Sequence, residues 1–273
     1  MKYTEPKPSR LRNHKTLVRV SAWCFLLLAA FYPIFSMSEP VLHIGTEGDF
    51  EHFVQALKNL TEVQKAFWMI ITLVPLLLVP AIMGYYSALK PHASIFSGLM
   101  LLCSIVSALA YTVSIARWNV IHLNIATLWN NADIAGKQGL QSLAIFLDDY
   151  LGDIYGIYLG EGFMALSLAY LGLAMMQTTR FPRWLISFVS LTSVWLAISL
   201  LRVQYTVFEG VYNWGEMLML LPLCFVALSF GMFFFRQPRE KKMAHYKTAP
   251  KLEEDHNKHH FHYKKKFKHH KKK

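Results

Sequence analysis

Two glutamates and two arginines stand at the ends of long apolar runs, at one common depth: Arg117, Glu161, Arg202 and Glu216. Glu161 precedes Arg180 by 19 residues, and Glu216 precedes Arg236 by 20 residues. At a helical rise of 1.5 Å per residue, each interval is about 28–30 Å long, the thickness of a hydrocarbon core. The two arginines end two other apolar runs at the same predicted level.

Such charges can serve chemistry or architecture. A charged side chain costs about 2.5–3.5 kcal/mol at the centre of a bilayer, and pairing with an opposite charge is the usual compensation. We therefore expect Arg117 or Arg202 to pair with Glu161 or Glu216. One interpretation is a ligand-binding polar pocket that opens outward, with His122 and Asp153 at its rim. The other is a set of interfacial ion pairs that lock helices together.

Other chemistries find little support in the residue pattern. The five histidines before Arg236 all lie outside the predicted spans, whereas a membrane haem needs histidines on facing spans. The sequence lacks a nucleophile elbow, a P-loop, a dinucleotide fingerprint and a zinc-protease motif. The middle of each apolar run is also free of carboxylates, which disfavours a proton relay. We expect no cofactor and no metal site in the membrane domain.

The apolar runs themselves predict the fold class. Apolar residues make up 54% of the 273-residue chain and charged residues only 16%, and a membrane-spanning helix needs about 20 mostly apolar residues in a row. We predict an all-α, polytopic membrane bundle of six transmembrane helices at about 17–36, 66–86, 95–116, 154–176, 184–201 and 215–235. The run that begins at Leu17 is too long for a secretory signal and is expected to be retained.

Charge asymmetry between connections predicts the orientation. Lysine and arginine dominate residues 1–16, the turn with Lys90, the turn at 177–183 and the C-terminal tail, whereas the alternate connections are acidic. By the positive-inside rule, both termini are cytoplasmic and the protein is a multi-pass inner (plasma) membrane protein. In the first acidic connection, 50–65 is expected to be one amphipathic helix. The second, 118–152, has helical apolar spacing and is expected to be the longest connection before the tail.

The C-terminal tail, 236–273, carries most of the net charge. It holds 14 lysines and arginines against four acids, and seven of the twelve histidines. Such a composition predicts a disordered, polybasic and histidine-rich segment that binds anionic lipid head groups. Its histidine pairs could also take up metal ions adventitiously.

The second half of the membrane domain resembles a family of six-span bacterial integral membrane proteins of unknown function. The resemblance covers about 100 residues from Ala116, and its motif is the turn Arg180-Phe181-Pro182-Arg183-Trp184 after a helical connection and a span. It implies a six-span architecture in a bacterial inner membrane and implies no chemistry. The basic tail lies outside it.

The function predicted from these features is that of an accessory, sensory or small-ligand-binding bundle, without enzymatic activity, embedded in the lipid bilayer. A membrane-protein partner would suit such a role. Two alternatives stay open. One is a transporter or channel-like facilitator gated by the ring of arginines and glutamates, and the other is a membrane enzyme that uses Glu161 with His122 or Asp153 as acid and base.

Overall fold

The computed structural model describes residues 8–38, 50–178, 180–203 and 220–233, and side chains within 16–33, 50–178, 180–201 and 220–233. Within these ranges the fold is all-helical. Seven continuous helices follow one another: α1 Pro8–Ser38, α2 Phe50–Lys58, α3 Glu62–Leu89, α4 Ser94–Trp129, α5 Ile134–Met176, α6 Arg183–Ser199 and α7 Leu220–Phe233.

Four of these helices are long and apolar enough to cross a membrane: α3, α4, α5 and the stretch Thr16–Pro33 of α1. The described parts of α6 and α7 are shorter apolar helices. Large apolar side chains also cover much of the outer surface, as on α3, where Met69, Ile70 and Leu73 are each more than half exposed. An exposed apolar belt of this kind is suited to contact with lipid.

Three helices depart from regular α geometry. In α3, Val74–Leu77 forms a 3₁₀ turn around Pro75, which lacks the N–H needed to continue the hydrogen-bond ladder. In α4 the segment Arg117–His122 is π-helical, and in α5 so is Asp149–Glu161. The helices nevertheless continue through these segments. The connection predicted at 118–152 is therefore mostly helix, and α4 and α5 extend well beyond the predicted spans 95–116 and 154–176.

The main core draws buried side chains from α1, α3, α4, α5, α6 and α7, and within it α1 packs against both α3 and α7. The Tyr85 hydroxyl of α3 donates to the carbonyl of Leu228 at 2.7 Å, and the Ser229 hydroxyl of α7 donates to the carbonyl of Ala22 at 2.9 Å. Gly84 permits this closeness, because a Cβ there would lie 2.3 Å from the Cβ of Ser21. Small residues at crossings are typical of helix packing in membranes.

Buried serines link α5 to its two neighbours. The hydroxyls of Ser104 and Ser167 lie 2.6 Å apart between α4 and α5. Ser107 of α4 donates to the carbonyl of Gly160 at 2.7 Å, and Ser193 of α6 donates to the carbonyl of Ala165 at 2.8 Å. These hydrogen bonds satisfy polar groups inside the bundle, where water is not available to do so.

A second apolar cluster lies at one end of the bundle and is called the cap here: α2, Leu123–Trp129 of α4, and Ile134–Asp148 of α5. Its buried members are Phe50, Phe53, Val54, Leu57, Ile125, Ala126, Trp129 and Ala144, and Trp118, which precedes the cap segment of α4, belongs to the same buried cluster. The amphipathic helix predicted at 50–65 ends at Lys58, and α3 begins after Thr61, whose side chain caps the new helix through Gln64. Val63 is consequently 79% exposed and is not part of the buried face.

Candidate functional site

The candidate site lies where the cap joins the bundle and consists of Arg117, His122 and Asp148. Arg117 and His122 are the first and last residues of the π-helical segment of α4. Asp148 is the residue before the π-helical segment of α5. A π-helical segment inside an α-helix is rare and is often found at functional sites. Here two such segments meet at one group of charged side chains.

Arg117 is the best-anchored member of this group. Its side chain is 6% exposed, and its Nε donates to Asp148 Oδ1 at 2.7 Å. Its Nη1 donates to the carbonyl and to the hydroxyl of Ser114 at 2.9 and 2.8 Å. Gly152 leaves room for the guanidinium, because a Cβ there would lie 3.1 Å from Nη2. A buried guanidinium held by several acceptors is strongly oriented.

Asp148 faces both Arg117 and His122 of α4. Its side chain is 23% exposed, and Oδ1 lies 2.7 Å from Arg117 Nε and 3.6 Å from His122 Nε2. The second distance is too long for a hydrogen bond. The carboxylate therefore neutralises Arg117 directly, and His122 stands beside this ion pair as a near neighbour.

His122 is fully buried and surrounded by aromatic rings. Its ring centroid lies 4.7 Å from that of Trp118 and 5.7 Å from that of Phe53, which meets it edge-on. Among the described residues, neither ring nitrogen of His122 has a hydrogen-bond partner. Two buried ring nitrogens without hydrogen-bond partners are unusual inside an apolar cluster and need an explanation.

Glu161 lies apart from this group, thirteen residues beyond Asp148 at the end of the π-helical segment. Its side chain is 5% exposed, and Ser199 of α6 donates a hydrogen bond to Oε2 at 2.9 Å. Asp153 is half-buried on the same segment. The predicted residue Glu216 and the side chain of Arg202 lie outside the described residues, so the predicted common ring of four charges stays a prediction.

One partner of Arg117 in the structure, Asp148, is a residue that the sequence pattern did not single out. We expected Arg117 or Arg202 to pair with Glu161 or Glu216, and that pairing stays a prediction; the carboxylate 2.7 Å from Arg117 Nε belongs to Asp148. The sequence pattern predicts that Asp148 lies in a connection, and only the continuation of α5 through 134–161 brings it opposite α4. The apolar spacing of Leu140, Ala144 and Leu147 was the available signal that this stretch is a helix with a buried face.

A recess opens beside the site between α2, α3 and α4. It is lined by Leu57, Leu60, Lys65, Trp68, Trp118, Asn119 and Leu123. The Asn119 amide donates to the Thr72 hydroxyl at 2.6 Å, and Lys65 is paired with Glu62 at 2.8 Å. The Asn119 amide and the Lys65 ammonium of the recess thus have protein partners. Within the described part of the chain, no three metal-binding side chains converge.

Comparison with known proteins gives no relative: no family model, no curated protein and no solved structure matches the chain. The functional argument therefore rests on the chemistry of the described residues.

Proposed function

We propose that the chain is a six-span integral membrane protein with cytoplasmic termini, and that it works as a non-enzymatic accessory or sensory bundle whose cap faces outward. Four helices that are long and apolar enough to cross a membrane support four of the six spans. Two shorter apolar helices, α6 and α7, which adjoin residues that the structure does not describe, support the other two. The positive-inside pattern and the resemblance favour the bacterial inner membrane as its location.

One observation carries the proposal: the buried charges of the candidate site are directed at each other. Arg117 meets Asp148 at 2.7 Å, and the pair joins the two helices that form both the cap and the bundle. A permeation path or an active site normally offers its charges to a substrate. A closed ion pair under an aromatic cap is better suited to couple the state of the cap to the bundle.

Topology is the first part of the proposal to test. Single cysteines at Lys58 in the cap and at Lys90 in the turn before α4, placed in a variant that lacks Cys24, Cys103 and Cys224, can be labelled with an impermeant maleimide. We expect the cysteine at position 58 to react from outside intact cells and the one at position 90 to react only after permeabilisation. Reaction of both from one side contradicts the predicted arrangement.

A recognition role can be tested with a photo-crosslinking amino acid in native membranes. Phe146, in the α5 segment of the cap, and Met69, on the apolar surface of α3, are matched sites because their side chains are 61% and 66% exposed. We expect a discrete protein adduct from position 146 and only lipid adducts from position 69. Lipid adducts from both sites would contradict a cap that recognises another protein.

Transport is the second candidate, and the buried carboxylate of Glu161 is the observation in its favour. A carboxylate held by a serine between two helices can be a coupling or gating group. Purified protein in vesicles can be assayed for uptake of small anionic and zwitterionic solutes. Our proposal predicts no uptake above protein-free vesicles. Uptake that Glu161→Gln abolishes would establish transport instead.

Binding of the tail 236–273 to anionic lipid head groups stays a prediction, since the tail lies outside the described residues. Vesicle flotation with phosphatidylglycerol, compared with neutral lipid, tests it on the full chain and on a chain that ends at Phe235. We expect the full chain to bind phosphatidylglycerol vesicles more strongly than neutral vesicles, in a salt-sensitive way, and the truncated chain to lose this difference.

A further inference from the structure

The ion pair between Arg117 and Asp148 does not explain why the two ring nitrogens of His122 are buried. The side chain has no exposed surface, and both nitrogens lack a hydrogen-bond partner among the described residues. Leaving a buried donor or acceptor unpaired is costly for stability. Phenylalanine or leucine would fill this aromatic site without that penalty, so the imidazole needs a reason of its own.

We propose that His122 is a proton-responsive joint, and that its protonation draws the cap onto the bundle through Asp148. The inference rests on the proposed sensory role for its biological use, because it names the proton as the signal that the cap transmits. Histidine is suited to this task because its ordinary range of titration covers pH 5–8.

The chemistry needs only a small displacement. A neutral imidazole has one N–H donor and one acceptor, whereas the protonated ring has two donors. His122 Nε2 now lies 3.6 Å from Asp148 Oδ1, so a charge-assisted hydrogen bond of about 2.8 Å requires an approach of about 0.8 Å. A carboxylate oxygen has two lone pairs, so Oδ1 can accept from His122 while it keeps its hydrogen bond to Arg117.

The charges around the ring permit this response. Among the described residues, Asp148 of α5 and Arg117 of α4 are the charged groups that the structure brings to the site. The side chain that α2 packs against His122 is Phe53, which carries no charge. A protonated ring would thus find an anionic acceptor at Asp148, and the cation Arg117 is already bound to that acceptor.

The backbone at the site can accommodate the approach. His122 ends the π-helical segment of α4, and Asp148 directly precedes that of α5. In such segments the hydrogen bonds run from i to i+5 and the α ladder is interrupted, which makes a local change of register easier than in an unbroken helix. Because Phe53 touches His122, movement of the ring is passed to α2.

Amide hydrogen exchange of the full-length protein in lipid nanodiscs tests the joint. The readout is the protection of α2, Phe50–Lys58, at pH 5.5 and pH 8, corrected for the intrinsic pH dependence of exchange. We expect protection to be about tenfold higher at pH 5.5, the size of effect that a hydrogen bond to a charged group produces. In the middle of α7, which does not border the site, protection should change less than twofold.

Three variants isolate His122. His122→Phe and Asp148→Asn should each reduce the tenfold ratio to about one, because one lacks the titrating ring and the other the charged acceptor. His52→Gln is the matched control, because it removes an exposed histidine of α2 itself and should keep the ratio. A ratio that survives His122→Phe, or that His52→Gln abolishes, overturns the proposal.

A direct measurement covers the case in which His122→Phe does not fold. The ring-nitrogen resonances of ¹⁵N-histidine-labelled wild-type protein, assigned to His122 by comparison with His122→Gln, should titrate between pH 5.5 and 8 with the midpoint of the α2 protection. A ring that stays neutral across this range overturns the joint. The joint can fail while the topology and cross-linking results stand, so the two failures are distinguishable.

Discussion

The site where the cap joins the bundle, formed by Arg117, His122 and Asp148, is called the junction here. The junction and the interior of the bundle both bury polar groups between helices, but they do so with different kinds of side chain. In the bundle the buried polar side chains are mostly serines, and several of them donate to a carbonyl of a neighbouring helix, such as Ser107 to Gly160 and Ser193 to Ala165. At the junction they are ionic, and Arg117 and Asp148 meet across two helices with π-helical segments.

The difference shows what each region is built to do. Hydroxyls and glycines let helices approach closely, and each contact is weak, so the bundle is held by the sum of many neutral contacts. A buried ion pair contributes little net stability but is strongly destabilising when one partner is removed. The junction is thus expected to be sensitive to the charge of a single side chain, whereas the serine contacts of the bundle involve no charge.

The largest effect on stability is expected when a charge is removed from the junction. Asp148→Asn removes the carboxylate that receives Arg117 and should lower the free energy of unfolding by about 3 kcal/mol, near the low end for a buried pair because Asp148 is partly exposed. Equilibrium unfolding in mixed detergent micelles measures it. The exposed neighbour Asp149 is the matched control, and Asp149→Asn should change the value by less than about 0.5 kcal/mol.

A double variant sharpens this result. Arg117→Gln together with Asp148→Asn removes both charges, and the loss should be smaller than the sum of the single losses by about 1–3 kcal/mol. Strictly additive losses would contradict a direct pair at the junction and weaken the contrast with the bundle.

The next effect tests the bundle by size. Gly84→Ala places a methyl group against Ser21 and should cost about 2 kcal/mol through overpacking. Gly98 offers a matched control, because a Cβ there meets nothing within 4 Å, and Gly98→Ala should be neutral or stabilising through higher helix propensity. Thermal unfolding of both variants in detergent provides the comparison. Equal destabilisation would mean that helix contact at Gly84 is not close.

The smallest effect is expected from a single hydroxyl of the bundle. Ser104→Ala removes the contact with Ser167 and should cost about 0.6 kcal/mol, the average for such hydrogen bonds between membrane helices. Ser142→Ala, at an exposed position of the cap, is the control and should have no measurable effect. A loss as large as that of Asp148→Asn would remove the distinction between the two regions.

The coarse architecture was accessible from the sequence. Apolar runs of about 20 residues predict membrane-spanning helices because an unpaired backbone is not tolerated in hydrocarbon, and the runs in α1, α3, α4 and α5 form helices long and apolar enough to cross a membrane. The selection of Arg117, His122 and Glu161 as unusual residues also came from the sequence, and all three side chains are buried. Six spans and the cytoplasmic termini stay predictions.

The contact between Arg117 and Asp148 was decided only by the tertiary structure. Apolar periodicity indicates that a helix exists and which side is buried, but the site depends on how far α4 and α5 continue beyond the apolar runs and on how each turn is wound. The π-helical segments at Arg117–His122 and Asp149–Glu161 change the angular position of the residues that follow, and this change leaves no apolar pattern to read. Packing between the two helices selects Asp148 because contact across helices is not a local property of either sequence.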